Sequence, residues 1–412
     1  MKAEREPLLP GAAPANPAAC TWGKLSPRRV ALGLTLAVAL LAVTQRLRSL
    51  EAEIETFRRE WGVHGVSVAI VRRDEVLLAR GFGEKNEKGD KVTANTIFGI
   101  GFQTKAFTSL LVAQLVEQGK LSWSTPVTSL SPVSFKDPIA SSRANLIAIL
   151  SHQTGLPRHD AIFAFWNSNE DYLARVRCME PTESFRSTWQ YDNFMFVLAG
   201  EIVQNATGKA TWSETLKAGI LDPLDMTNTI SSFLNTPDHA RSFDEEGNLM
   251  PYEAEASQWL RALLGRGTLS GTQLVNETTF QQLTQPYKTM DSPRSKEYGY
   301  TSYGLAWNFS EYRGHHSVSH TGSTSGFKNF FLDDDLAYII MTNTIARSLP
   351  SVFDEVISER LPLPEISQRS KWSDVEKKKL RAAAELERLA VEKRRLSRLN
   401  GTSPSHPLDD YV

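Results

Sequence analysis

The sequence predicts a mixed α and β domain (α/β in the broad sense, α+β in layout): one antiparallel sheet flanked by helices, with a helical region inserted between its first and last strands. Three observations carry this expectation. Apolar strand-like runs stand near residues 66–79 and again between 315 and 342, the stretch between them has helical spacing, and the composition is that of an ordinary globular chain, 41% hydrophobic and 23% charged. Strands at both ends with helices in the middle call for a sheet closed by the two ends of the domain, with helices packed on it. That composition excludes a largely disordered chain, a collagen and a multi-span membrane protein. At 412 residues there is room for one large domain with appendages, or for two to three units. A net charge of −1, from 46 basic and 47 acidic residues, excludes nucleic acid as an expected partner. Cys20 and Cys178 are too few for a disulfide framework, so the fold must stand on its apolar core.

In chain order, residues 1–29 are polar and rich in Pro and Ala, and they lead into an uncharged run, Val30 to Thr44, flanked by Arg28 and Arg29 before and Arg46 and Arg48 after. The run is shorter than the roughly 20 residues of a full span, so a signal-peptide core cleaved near Ala42 to Gln45, or a buried helix, competes with an anchor. The long leader and the basic near flank favour an uncleaved anchor over 30–44, with residues 1–29 as a cytoplasmic tail. The expected arrangement is a single-pass type II membrane protein whose body is lumenal or extracellular, at endolysosomal or plasma membranes. Within the tail, Glu4 followed by Leu8 and Leu9 has the look of an acidic dileucine address read by sorting adaptors. Asn205, Asn276, Asn308 and Asn400 open glycosylation sequons, which matter if the body is lumenal.

The body is expected over 51–364. Val66 to Val71 and Val76 to Ala79, joined by the charged Arg72 to Glu75, read as a hairpin. A helix is expected from near Phe102, carried by Phe107, Leu110, Leu111 and Leu115 and stopped by Gly119. Further helical runs cover Phe194 to Val203 and Ser257 to Leu264. His315 to His320, Gly326 to Leu332 and Ala337 to Thr342 read as three short strands separated by Gly and Asp turns. Beyond Pro362 and Pro364, residues 365–412 form a basic helical extension: Ser373 and Glu376 make a capping box, and residues 365–398 hold eleven basic against six acidic side chains. Its thin apolar stripe, Ala382, Leu386, Leu389 and Leu396, reads as a solvated helix, with partner binding, oligomer formation or a membrane surface as alternatives.

Three distant segments carry the chemistry: Gly99-Ile100-Gly101-Phe102-Gln103-Thr104-Lys105, Tyr191-Asp192-Asn193 and His320-Thr321-Gly322-Ser323. In order and context they resemble the Ser-x-x-Lys, Tyr-x-Asn and Lys-Thr-Gly or His-x-Gly motifs of the serine β-lactamase and penicillin-binding-protein family, in particular its class C and esterase-like branch. Leu150 to Leu156 (LSHQTGL), Tyr303 to Trp307 (YGLAW) and Gly326-Phe327 are similar to further markers of that family. The similarity spans roughly residues 55 to 362, and the membrane-anchored animal β-lactamase-like proteins are the group this chain resembles. The resemblance implies a β-lactamase-like fold, no cofactor, and a small-molecule or peptide ligand.

Carried over by motif, Lys105 is the base one turn after the nucleophile, Tyr191 the second base or proton shuttle, and Asn193 the group that orients Lys105 and the substrate amide. The N–H groups of Phe102 and Ser323 would form an oxyanion hole, Thr321 and Gly322 would bind substrate, and His320 would flank the substrate carboxylate or leaving group. Taken singly, each residue has a plainer reading: a solvated Lys105, a core Tyr191, an Asn193 that caps the next helix. No metal site is expected, because His315 and His320 stand five apart on a strand and face opposite sides. Ser151, His152 and Thr154 are expected to hold a turn.

The nucleophile is missing: the family's serine falls on Phe102, and a phenyl ring has no hydroxyl to acylate. Thr104 lies two residues on and on another face of the helix, Ser109 lies two turns deeper, and Gln103 is no nucleophile. The expected function is therefore a membrane-anchored β-lactamase-like protein with serine chemistry lost or strongly reduced. An active amidase, esterase or peptidase using a rearranged nucleophile or water is the first alternative, and a scaffold or filament-forming module the second. Residues 247–259, set beside related sequences, look like a shortened Gly- and Ser-rich loop.

Overall fold

The computed structural model describes residues 45, 47–160, 168–230, 239–243, 249–250, 257–290, 301–312, 314–322 and 326–344, with scattered positions in 377–392. The chain divides into two units, residues 1–49 and 50–412, and the fold below is that of the second. The expected anchor at 30–44, the tail with Glu4, Leu8 and Leu9, Ser323, and most of the 247–259 segment and the basic extension lie outside the described residues. Among the described residues no helix is long and apolar enough to cross a membrane.

The strands are β1 (Gly65–Arg72) and β2 (Glu75–Gly83), two small ribbons β3–β4 (Ser242–Phe243, Leu249–Met250) and β5–β6 (Thr268–Leu269, Thr272–Gln273), then β7 (Lys288–Thr289), β8 (Ser302–Tyr303), β9 (Asn308–Tyr312), β10 (His315–Gly322), β11 (Gly326–Phe331) and β12 (Leu336–Thr342). Eight of them form one sheet in the order β2-β1-β12-β11-β10-β9-β8-β7. All its neighbours are antiparallel. The first hairpin and the last strand meet at β1–β12, with Val66 opposite Thr342 and Arg72 opposite Leu336.

The largely apolar runs of β1 and β12 follow from burial on both faces, the pattern of a covered strand. Val66, Val68, Ile70, Tyr338 and Ile340 join Leu50 and Ile54 of a helix α1 that covers one face within residues 50–60. Ala69, Val71, Ala337, Ile339 and Met341 turn to the other face and join the main core. That face carries α2 (Thr104–Glu117), the short α3 (Pro138–Arg143), α4 (Leu146–Leu150) and α5 (Asn169–Ala174), then α6 (Phe194–Thr207), α7 (Trp212–Leu216), α8 (Ser257–Leu264) and α9 (Glu277–Leu283).

α2 is buried along most of its length, from Lys105 through Ala113, because α6, α7 and α9 pack around it. It ends where the sequence places its stop: Gly119 takes φ +69°, a left-handed turn open to glycine without strain. Its start differs from expectation. Gly101–Gln103 form a tight 3₁₀ turn, with the Gln103 N–H donating to Ile100 O at 3.1 Å, and the α-helix proper begins at Thr104. The Thr104 hydroxyl donates to Gly101 O at 2.7 Å, which closes the turn and occupies that hydroxyl.

Candidate active site

The 3₁₀ turn puts Phe102 at the mouth of the helical region, half-buried, three residues ahead of Lys105. Lys105 is buried on the first turn of α2, and its amine donates to Asn193 Oδ1 at 2.6 Å. Three aromatic faces surround the same amine: Phe102 at 4.3 Å, Tyr191 at 5.0 Å and Phe196 at 5.2 Å. Among the described residues no carboxylate bonds to it. Burial therefore drives its pKa down, from 10.5 to about 7, with the charge of Asp192 pulling the other way.

Asn193 is fixed by both ends of its amide. Its Oδ1 accepts from Lys105 while its Nδ2 donates to Asp160 Oδ1 at 2.9 Å, and only this orientation satisfies both. Asp160 is in turn paired with Arg158 at 2.7 Å, and the Arg158 guanidinium lies over Tyr191 at 5.0 Å and Phe102 at 5.9 Å. A chain of contacts thus runs Arg158–Asp160–Asn193–Lys105. Asn193 stands at the N-cap of α6 but makes no capping bond with its side chain; the Oδ1 of the preceding Asp192 accepts from Phe194 N at 2.8 Å instead. Asp192 is fully buried, its Oδ2 has no partner, and burial pushes its carboxyl well above the usual range.

Tyr191 packs edge-on to Phe102 at 5.7 Å and against His152 at 4.5 Å, and its buried hydroxyl has no hydrogen-bond partner. Burial holds that hydroxyl protonated far above neutral pH. His152 stands in the expected turn with φ +57°, and Ser151 and Thr154 brace it: the Ser151 hydroxyl donates to Ile147 O, and Thr154 Oγ1 accepts from Leu156 N. The His152 Nδ1 accepts from Asp192 N at 3.1 Å, so this loop positions the Tyr191 segment. Burial keeps His152 neutral.

His320 sits on β10, also buried. Its Nδ1–H donates to Thr321 O at 2.7 Å, which leaves Nε2 to accept from the Tyr303 hydroxyl at 3.2 Å. The other two histidines of the strand go elsewhere, His315 to Asp334 and His316 to Asp333.

Two cavities meet at Phe102. One, about 330 Å³, lies between α2 and α6 and is lined by Lys105, Asn193, Phe196, Glu201 and Trp212. The other, about 480 Å³, is lined by Arg158, Trp189, Tyr191, Tyr303, His320 and Thr321. Phe102 lines both. The expected residues are therefore gathered around one ring and divided by it, Lys105 and Asn193 facing one cavity and Tyr191, His320 and Thr321 the other. Gly322 ends β10 beside them, buried, and Ser323, the second expected oxyanion donor, falls outside the described residues. The hydroxyls dismissed as replacement nucleophiles stay out of reach: Thr104 is spent on Gly101 O and Ser109 is fully buried. Sequence reasoning missed Arg158, Asp160 and Glu201. Arg158 and Asp160 follow the LSHQTGL loop by only a few residues, which was the available signal; Glu201 had none.

A family model described as β-lactamase matches residues 50–349. Among curated relatives, an unguisins hydrolase of Aspergillus campestris is 28% identical over 307 residues, 65% of this chain and 55% of the relative. A teichoic acid D-alanine hydrolase of Staphylococcus aureus is 32% identical over 165 residues, 40% of each chain. The chain thus spans about half the length of these relatives or less. Among solved structures, an octameric penicillin-binding protein homologue from Pyrococcus abyssi superposes with a TM-score of 0.66 at 24% identity, covering 78% of this chain and 79% of that one, a likeness of fold.

Proposed function

Since the chain belongs to the β-lactamase family over residues 50–349, we propose that it is a membrane-anchored member of that serine-hydrolase fold whose acyl transfer is lost or strongly reduced. The observation that supports this is Phe102. Its ring occupies the start of the helical turn where an acylated hydroxyl would stand, 4.3 Å from the amine of Lys105. No hydroxyl of the turn replaces it. Loss of a nucleophile costs several orders of magnitude in rate even when the rest of a site survives. The pocket around the ring then serves as a binding site for a small-molecule or peptide ligand. Incubation of the protein with a fluorophosphonate and with a labelled penicillin should give no covalent adduct by intact mass; stoichiometric labelling of the wild type would overturn the reading.

One observation favours a second reading, hydrolysis by an activated water. Lys105, held near pH 7 and bonded only to an amide oxygen, is a competent general base even without a serine beside it. The related unguisins hydrolase and teichoic acid D-alanine hydrolase are named for hydrolysis. Steady turnover of an ester or D-amino-acid amide, abolished in Lys105→Met and accompanied by no acyl adduct, would establish it.

The membrane reading rests on residues 30–44, with the body lumenal or extracellular and Glu4, Leu8 and Leu9 as the sorting address. Protein made in mammalian cells should gain mobility on glycosidase treatment through Asn205, Asn276 or Asn308. Its distribution should move toward the cell surface in the Leu8→Ala, Leu9→Ala double variant.

A further inference from the structure

We propose that Lys105 is a carbonyl-capturing amine, forming an imine with a small, neutral, apolar aldehyde or ketone lodged in the cavity between α2 and α6. This goes beyond the loss of serine chemistry and does not depend on it. The amine lines that cavity of about 330 Å³ and is buried, so a ligand reaches it only by entering the pocket. Phe102, Phe196, Val197 and Trp212 give it an apolar, aromatic side that suits a hydrocarbon chain or ring, beside the polar Thr108, Asn169 and Gln204. Among the described residues Lys105 is the only basic one lining the space, and Glu201 lines it too, so an anionic ligand would meet a carboxylate there. The ligand's class follows from that lining: a carbonyl at one end and an uncharged apolar body.

The amine is also in the right state. Its one hydrogen bond goes to an amide oxygen, Asn193 Oδ1, rather than to a carboxylate that would hold it as ammonium. The charged groups that act on it are Asp192 on the same segment as Asn193, and Arg158 and Asp160 from the preceding loop; burial outweighs the two acids and brings it to about 7. A desolvated lysine of this kind is an activated nucleophile. The step balances without any redox partner. The nitrogen lone pair attacks the carbonyl carbon, the C–O π bond opens, and both protons of the neutral amine leave with that oxygen as one water, giving C=N.

The test uses the full chain with hexanal and cyanoborohydride at pH 7, followed by peptide mapping. An ordinary lysine near pKa 10.4 is neutral at pH 7 in less than about one molecule in a thousand, whereas Lys105 is neutral in about half, so it should be alkylated about tenfold or more above any other lysine. Lys105→Met should lose that adduct and no other, and the preference should vanish when the wild type is labelled in urea. Labelling of Lys105 no faster than that of exposed lysines in the folded wild type would overturn the proposal. A fluorophosphonate adduct on the wild type would instead overturn the loss of acyl transfer and leave the imine untouched.

Discussion

The two cavities on either side of Phe102 hold the parts of what the motif order makes a single site, and they hold them differently. On the Lys105 side the charged and amide groups form one tied chain: the amine to Asn193, Asn193 to Asp160, Asp160 to Arg158. On the other side His320 is held by Tyr303 and Thr321, while the Tyr191 hydroxyl is buried with no partner among the described residues. An unpaired buried hydroxyl costs stability, and structures keep one where something else is meant to meet it. The difference teaches that the Phe102 ring divides the gathered residues without dispersing them. Lys105 and the chain that positions it form one connected unit, and beside the second cavity the Tyr191 hydroxyl is left without a partner among the described residues.

The largest expected effect comes from removing that wall. Phe102→Ser should merge the two spaces and put a hydroxyl three residues before Lys105. From undetectable labelling, the variant should acylate with an activated ester or penicillin, read by intact mass. Base and electrostatic stabilisation together supply on the order of 10⁴-fold when a nucleophile is present. Because the ring is only half-buried, its loss should cost less than the roughly 3–5 kcal/mol of a fully buried one, and a melting curve checks this. A folded variant that forms no adduct would mean that the two halves no longer work together.

Next in size is the pH response. Lys105 titrates near 7 in the fold and near 10.5 when unfolded. Between those values the unfolded chain holds one more proton, so stability climbs as pH rises, by about 1.4 kcal/mol per unit at the steepest. Below about 7 both states are charged and the dependence is flat. Denaturant melts of wild type and Lys105→Met from pH 6 to 10 should converge at the alkaline end, with wild type losing ground as pH falls; parallel curves would place the amine in water.

Smaller effects separate the two sides. Asn193→Ala leaves the buried amine and Asp160 without their common partner and should cost about 1–3 kcal/mol in thermal melts. Tyr303→Phe removes one hydrogen bond to His320 and should cost about 1 kcal/mol. Equal losses would remove the contrast between a tied half and a loose one.

The sheet was legible because its central strands are apolar on both faces, so β1 and β12 stand out as runs such as Val66 to Val71. Its far edge was not: β7 and β8 are two residues long, and Tyr303 was read only as part of a motif. The start of α2 was placed two residues early because helical spacing is blind to a 3₁₀ turn, which a glycine at φ +50° and the Thr104 hydroxyl make. At the site, the motifs located Phe102, Lys105, Tyr191, Asn193 and His320. Asp160 and Arg158 act through tertiary contacts with Asn193 and Tyr191 that no local pattern records. Asn193 as a helix cap was the plausible local reading, and it does stand at the N-cap of α6, but the side-chain bond to the first helical N–H comes from the neighbouring carboxylate of Asp192.

The closing of the sheet by its first and last strands sets a timetable for making the protein. Gly65 N donates to Asn343 Oδ1 across 278 residues of sequence, the same seam that joins β1 to β12. At roughly 5–20 residues per second, a ribosome needs about 14 to 56 seconds between those two positions. For that interval β1, apolar on both faces, has a partner on only one edge, β2. The hairpin waits with that edge open until Thr342 emerges to pair with Val66.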